Sequence, residues 1–282
     1  MPNSSRNWIS SPDREDAIFP FVLRLLVALA VAYAGLMAVL FFAQRALLYP
    51  GATGGPISAN HWGQAADIVT ADGERLLALH SPALEGHPTV LYFHGNADRV
   101  DRFEFLARGL AERGTGLLVL SYRGYPGSTG TPSETGLIAD GIAAHDWLVS
   151  RSGGPVILLG QSLGSGVAVA VAAQRRVAGL VLISAYDSVL ELARRSYAFL
   201  PVAPFLKDPF RSDLRIGEID APTLFINGRL DTLVPIARGE ALFGAAPEPK
   251  RMLILDEAAH NDIWSERVLR EIEGFVDEVS KP

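Results

Sequence analysis

Val156 to Val167 reads VILLGQSLGSGV and changes character in its middle. Val156–Leu159 is a continuous apolar run of the kind that forms a buried strand, and the small residues after Leu163 continue into an Ala/Val helix. Ser162 sits at the junction between Gly160 and Gly164, with Gln161 and Leu163 beside it, so the junction fits G-x-S-x-G. A strand that turns sharply into a helix forces strained backbone angles on the serine. Side chains two positions either way would collide with neighbouring elements, hence glycine at both. The serine hydroxyl then stands above a helix N-terminus, whose partial positive charge favours a developing anion. A phosphate loop is the competing reading. There is no G-K-[ST], and Gly160, Gly164 and Gly166 do not make G-x-G-x-x-G.

Outward from this junction the chain alternates. AADIVT and RLLALH flank a tight turn, ADG, and then TVLYFH, GLLVLSY, PVILLG, AGLVLIS, PTLFING and RMLILD follow with helical patterns between most of them. Helices are expected near residues 101–113, 133–150 and 262–280. The inner apolar runs do not alternate with polar residues, which predicts parallel strands covered on both faces. The expected fold class is α/β, a doubly wound, mostly parallel sheet of about eight strands. Ligands of such sheets bind at the carboxyl ends of strands. Residues 184–221 are too long for a plain connection and contain YAFLPVAPFLKDPF; they predict a small cap or lid-like insertion, with aromatic packing as the plain alternative.

A nucleophilic serine needs a base, and the base an orienting acid. His260, in LDEAAHND after the last strand, follows both nucleophile and acid in chain order. Asp231, in FINGRLDTLVP, sits just past a strand and a glycine turn; Asp187, after the preceding strand, is the runner-up. For the oxyanion, the Leu163 amide is one expected donor. The loop His94-Gly95-Asn96-Ala97 supplies the other, through the Asn96 N–H. Gly95 lets the backbone approach substrate, and His94 is expected to buttress the loop.

The N-terminus carries a second decisive feature. Leu25–Ala43 is 19 residues without a charge or proline. As a helix it rises about 28 Å, close to the hydrocarbon thickness of a bilayer. A cleaved signal peptide ending at AYA (Ala32–Ala34) is the alternative, but the apolar run continues well past that tripeptide. Residues 1–24 then form a tail, 25–43 a transmembrane anchor in the bilayer, and 44–282 the catalytic domain. Arg6, Arg14 and Arg24 precede the span and Arg45 follows it, which favours a cytoplasmic N-terminus with the domain on the opposite side. The net charge of −6 excludes the basic footprint of a nucleic-acid binder. The absence of cysteine removes thiol nucleophiles and cysteine-ligated metals.

The pieces AQRALLYP, YFHGNAD, SYRGYPGSTGTPSETGLIADG, GQSLGSGVAVAVA, INGRLDTLVP and AAHND cover most of residues 44–262 in one order. In them the chain resembles the α/β-hydrolase superfamily, and within it the membrane-anchored Bem46-like group, also called α/β-hydrolase domain-containing protein 13-like. The resemblance implies an α/β-hydrolase fold and a Ser162–Asp231–His260 triad. It also implies hydrolysis of an ester, thioester or amide through an acyl-enzyme at neutral to weakly basic pH, with no cofactor and no metal. It departs from the group in two places: Gly164-Ser165 stands where two glycines are usual, and Asp98 where an Asn-type residue is common. Asp98 is expected to cap the following helix. The anchor, together with apolar Tyr197–Leu206, points to a lipid or acylated substrate. A peptidase or amidase on the same scaffold is the alternative, and a non-catalytic membrane scaffold the rival from another class.

Overall fold

The computed structural model describes residues 14–59 and 61–281. Two compact units divide between Gln44 and Arg45. The first is the greater part of one helix, α1 (Arg14–Leu48), which overruns the expected anchor at both ends and carries Pro20 within its N-terminal part. Its stretch Phe19–Leu48 has a mean hydropathy of 2.6 and is long and apolar enough to cross a membrane. Of the expected tail, residues 1–13, Arg6 included, lie outside the described residues.

The second unit is built on one eight-stranded sheet, ordered β1-β2-β4-β3-β5-β6-β7-β8. The strands are β1 (Gln64–Val69), β2 (Arg75–Ser81), β3 (Thr89–Phe93), β4 (Gly116–Leu120), β5 (Val156–Gln161), β6 (Gly179–Ile183), β7 (Thr223–Gly228) and β8 (Lys250–Leu255). β1 and β2 form an antiparallel hairpin, and β2 also runs antiparallel to β4; every pair from β4 through β3 to β8 is parallel. The hairpin strand β1 alternates exposed and buried positions, whereas β3 to β7 are buried at every residue. That contrast follows from coverage. Inner parallel strands have helices over both faces and carry no polar face.

The covering helices are α2 (Glu104–Ala111), α3 (Glu134–Val149), α4 (Leu163–Ala172), α6 (Ile236–Ala245) and α7 (Glu266–Val279). α3, α4 and α6 contribute Leu137, Ala144, Val167, Val171 and Leu242 to the apolar core on one face. α2 and α7 contribute Leu106, Leu110, Val268, Ile272 and Phe275 to the core on the other. α7 starts at a Ser265 side chain that accepts from the Val268 N–H, and α3 at Ser133 accepting from Gly136 N–H, each satisfying an otherwise orphaned donor. The connection from β6 to β7 holds a short helix, α5 (Val189–Ser196), and two 3-10 turns, Ser212–Leu214 and Ile216–Glu218. The helix expected near 101–113 is split into a 3-10 turn, Val100–Arg102, and α2.

Candidate active site

β5 ends at Gln161 and α4 begins at Leu163, leaving Ser162 alone at the corner. Its φ of 51° and ψ of −119° lie where non-glycine residues pay a steric penalty. The fold holds it there: Ser162 N–H donates to the Ile183 carbonyl at the end of β6, and Ser162 O accepts from Ser165 Oγ at 2.6 Å. Ser165 therefore closes the first turn of α4 in place of the second glycine. The flanking glycines are explained by what a side chain would strike. A Cβ on Gly160 would come 2.5 Å from the Gly164 carbonyl, and one on Gly164 would fall on the Phe93 carbonyl of β3. Gly164→Ala is accordingly expected to destabilise the fold by about 1–3 kcal/mol, a loss of roughly 3–10 °C in thermal midpoint, since the obstructing atoms are backbone. Thermal melts of the detergent-solubilised full chain check this, and an unchanged midpoint would show that the elbow is not packed as tightly as described.

Gln161 points the other way and ties the elbow down. Its Oε1 accepts from Tyr92 Oη at 2.6 Å and Trp264 Nε1 at 3.0 Å, linking β5 to β3 and to the segment after His260.

Asp231 and His260 reach the same corner from the ends of β7 and β8. Their loops are pinned together: the Arg229 N–H donates to Leu255 O and the Leu230 N–H to Ala258 O. Gly228 permits the approach, because a Cβ there would strike the Ala258 carbonyl. His260 Nδ1 lies 2.7 Å from Asp231 Oδ2, and its Nε2 lies 3.0 Å from Ser162 Oγ. Asp231 is nearly fully buried, and its other oxygen, Oδ1, accepts from the Leu233 and Val234 N–H groups. With Asp231 accepting from Nδ1–H, the Nε2 lone pair faces the serine hydroxyl. A proton can thus pass from oxygen to imidazole without a change of geometry. The runner-up Asp187 is elsewhere employed: it pairs with Arg238 at 2.9 Å and accepts from the Ser188 N–H, and burial raises its pKa.

The loop after β3 lies beside the serine, and a Cβ on Gly95 would be 3.8 Å from Ser162 Cβ. The Gly95 carbonyl accepts from His94 Nδ1 at 2.8 Å and from the Asp98 N–H at 3.1 Å. Because the peptide is planar and trans, anchoring that carbonyl aims the Asn96 N–H in the opposite direction. Among the described residues, no protein acceptor takes the Asn96 N–H or the Leu163 N–H. His94 is fully buried against Tyr122 and Tyr125, and burial lowers its pKa, so it holds the loop as a neutral imidazole. Asp98 does not cap a helix, contrary to expectation. The residue before the 3-10 turn is Arg99 and α2 begins only at Glu104, so Asp98 instead lies 3.5 Å from Arg102. No group of three or more His, Asp or Glu side chains able to hold a metal occurs among the described residues.

The chain is similar to known proteins. The family model described as alpha/beta hydrolase fold matches residues 88–213. An uncharacterized protein of Mycobacterium tuberculosis strain H37Rv is 39% identical over 249 residues, spanning 85% of this chain and 88% of that one. Protein bem46 of Schizosaccharomyces pombe is 32% identical over 206 residues, spanning 70% of this chain and 68% of that one. The chain belongs to the α/β-hydrolase family, in its Bem46-like group. Among solved structures, the Pyrococcus furiosus esterase Pf2001 superposes on this Bem46-like hydrolase with a TM-score of 0.66 at 19% identity, over 79% of this chain and 98% of the esterase. Acetyl xylan esterase 1 from Thermoanaerobacterium gives a TM-score of 0.61 at 18% identity, over 81% of this chain and 86% of that one. At such identities these two superpositions bear on the fold.

Sequence reasoning missed several parts of the Bem46-like site. The Gln161 clamp depends on Tyr92 and Trp264, which are remote in sequence and read locally as core aromatics. Tyr186 Oη donates to the Leu163 carbonyl at 3.2 Å, and Tyr125 Oη to the Asn96 carbonyl at 2.8 Å. The AQRALLYP motif was the available signal for a further contact, since its end lies against Asn96: Leu48 O accepts from Asn96 Nδ2 at 3.1 Å.

Proposed function

We propose that this Bem46-like hydrolase is a membrane-anchored serine hydrolase that cleaves a carboxylic ester or thioester of a lipid or acylated substrate. The observation that carries the reading is the hydrogen-bonded line Ser162–His260–Asp231 at the carboxyl edge of the sheet, with the serine in a strained turn. Ser162 Oγ attacks the substrate carbonyl as its proton moves to His260 Nε2, and Asp231 stabilises the imidazolium through Nδ1–H. The Leu163 and Asn96 amides receive the tetrahedral oxyanion. The imidazolium then protonates the leaving alcohol or thiol. Water enters and gives a proton to His260 as its oxygen bonds to the acyl carbon. The imidazolium then returns that proton to Ser162 Oγ as the acyl–serine bond breaks, releasing the acid and the resting enzyme.

Support for an apolar substrate comes from two sides. Helix α1 provides a candidate membrane span, and Leu230 and Leu233, on either side of Asp231, are exposed at 57% and 62%. Leucines exposed this close in sequence to the buried carboxylate would offer apolar surface to an acyl chain. The arginines ahead of the span support a cytoplasmic N-terminus, with the hydrolase unit on the opposite side of the bilayer.

The test is a fluorophosphonate probe on the detergent-solubilised full chain, with the labelled peptide mapped by mass spectrometry. It is followed by turnover of oxygen esters, thioesters and peptides of graded acyl length. Labelling at Ser162 and a kcat/KM that rises with acyl length are expected. Folded protein that fails to label would overturn the serine mechanism, and activity indifferent to acyl length would overturn the lipid assignment.

A further inference from the structure

We infer that the strap made of the last turn of α1 and the 3-10 turn after it, residues 45–54, positions the oxyanion donor at Asn96. The inference rests on the serine-hydrolase reading above. Asn96 is gripped through nearly every polar group except the one assigned to substrate. Its carbonyl accepts from the Gly51 N–H at 3.0 Å and from Tyr125 Oη at 2.8 Å. Its side-chain amide donates to Leu48 O at 3.1 Å. Two of these three bonds run to the strap, and with the Gly95 carbonyl held by His94 and Asp98 they fix both peptide planes that meet at Asn96.

The strap is itself immobilised. Arg45 donates through Nε and Nη2 to the two oxygens of Asp208, at 2.8 and 3.1 Å, and Asp208 is only 3% exposed. Asp208 Oδ1 also accepts from the Glu134 N–H at 3.0 Å, which joins the strap to the start of α3. Tyr49 is buried in the core on that face of the sheet. Three turns of backbone bonding follow, Tyr49 N–H to Arg45 O, Ala52 N–H to Tyr49 O and Gly54 N–H to Gly51 O. The glycine at position 51 is required by close approach. A Cβ there would lie 2.7 Å from the Asn96 carbonyl oxygen and would overlap the Tyr125 ring. The strap is therefore packed to a tolerance smaller than one methyl group against the residue whose N–H must meet the oxyanion.

Gly51→Ala and Asn96→Ala test the strap in the full-length protein in detergent. The first presses a methyl on the Asn96 carbonyl, and the second cuts the tie to Leu48 while keeping the backbone N–H. Turnover is expressed per fluorophosphonate-titrated Ser162, so that misfolded molecules do not enter the rate. For a misplaced oxyanion donor, kcat falls about 10- to 100-fold in Gly51→Ala and about 10-fold in Asn96→Ala, with KM within about twofold of wild type. Affinity for a trifluoromethyl ketone, which forms a tetrahedral adduct with the serine, falls in proportion to kcat. A purely structural role would lower the titrated fraction and the thermal midpoint and leave kcat per site untouched, and that result overturns the inference. If Gly51→Ala does not fold, Asn96→Ala decides. Wild-type protein that neither labels nor turns over ester would instead condemn the serine-hydrolase reading, so the two failures are distinguishable.

Discussion

Ser162→Ala is expected to lower kcat on the best ester substrate by about 10⁴-fold or more, the scale on which removal of a nucleophile acts. The alanine keeps the Ile183 carbonyl contact through the backbone N–H and keeps both glycines of the elbow, so the corner itself survives. What is lost is the atom that His260 Nε2 faces at 3.0 Å. Residual turnover would come from water attacking a carbonyl that is still held and polarised by the two amides. The comparison uses full-length chain in detergent, with thermal midpoints recorded alongside. Retention of more than about one per cent of the activity in folded protein would mean that another group attacks the carbonyl. The surroundings of Ser162 offer no obvious substitute: Ser165 Oγ donates to a backbone carbonyl and Ser184 is fully buried.

The parts of this site that were legible in the sequence are those fixed by local physics. A buried strand, a glycine-flanked serine and an apolar helix occupy one short stretch, and the corner they make is the corner observed, with Ser162 at positive φ. Asp231 and His260 were legible because each follows a recognisable apolar strand, and parallel strands bring their carboxyl ends to one edge of the sheet. Contacts between distant segments carried no such signal. Nothing local in Tyr92 or Trp264 announces a hydrogen bond to Gln161, and nothing in Gly51 announces the carbonyl that excludes its Cβ. The reading of Asp98 failed for a related reason. Capping depends on which residue starts the helix, and the 3-10 turn at Val100–Arg102 moves that start to Glu104. Leu48 lies within AQRALLYP, and nothing local in that motif announces its bond to the Asn96 side chain.

Asp231→Asn should cost about 10⁴-fold in kcat, while Asp187→Asn should stay within about threefold of wild type. The reasoning for the first begins at Asp231 Oδ1, which accepts two backbone N–H groups, from Leu233 and Val234 at 3.0 and 2.7 Å. An asparagine must place its carbonyl oxygen there, because an NH₂ group would face two donors. Its NH₂ is then turned toward His260 Nδ1, where it can only donate. The imidazole must answer with a lone pair at Nδ1, which moves its proton to Nε2. A protonated Nε2 cannot accept the proton of Ser162, and the serine loses its base although every heavy atom keeps its place. Asp187 has no such leverage, since its partners are Arg238 and Ser188 and it has no bond to His260. Measured side by side, the two variants separate an acid in the loop after β7 from one in the loop after β6. Collapse of Asp187→Asn with survival of Asp231→Asn would transfer the orienting role to the β6 edge. The expected order assigns it to Asp231, where two amides dictate which way an asparagine must face.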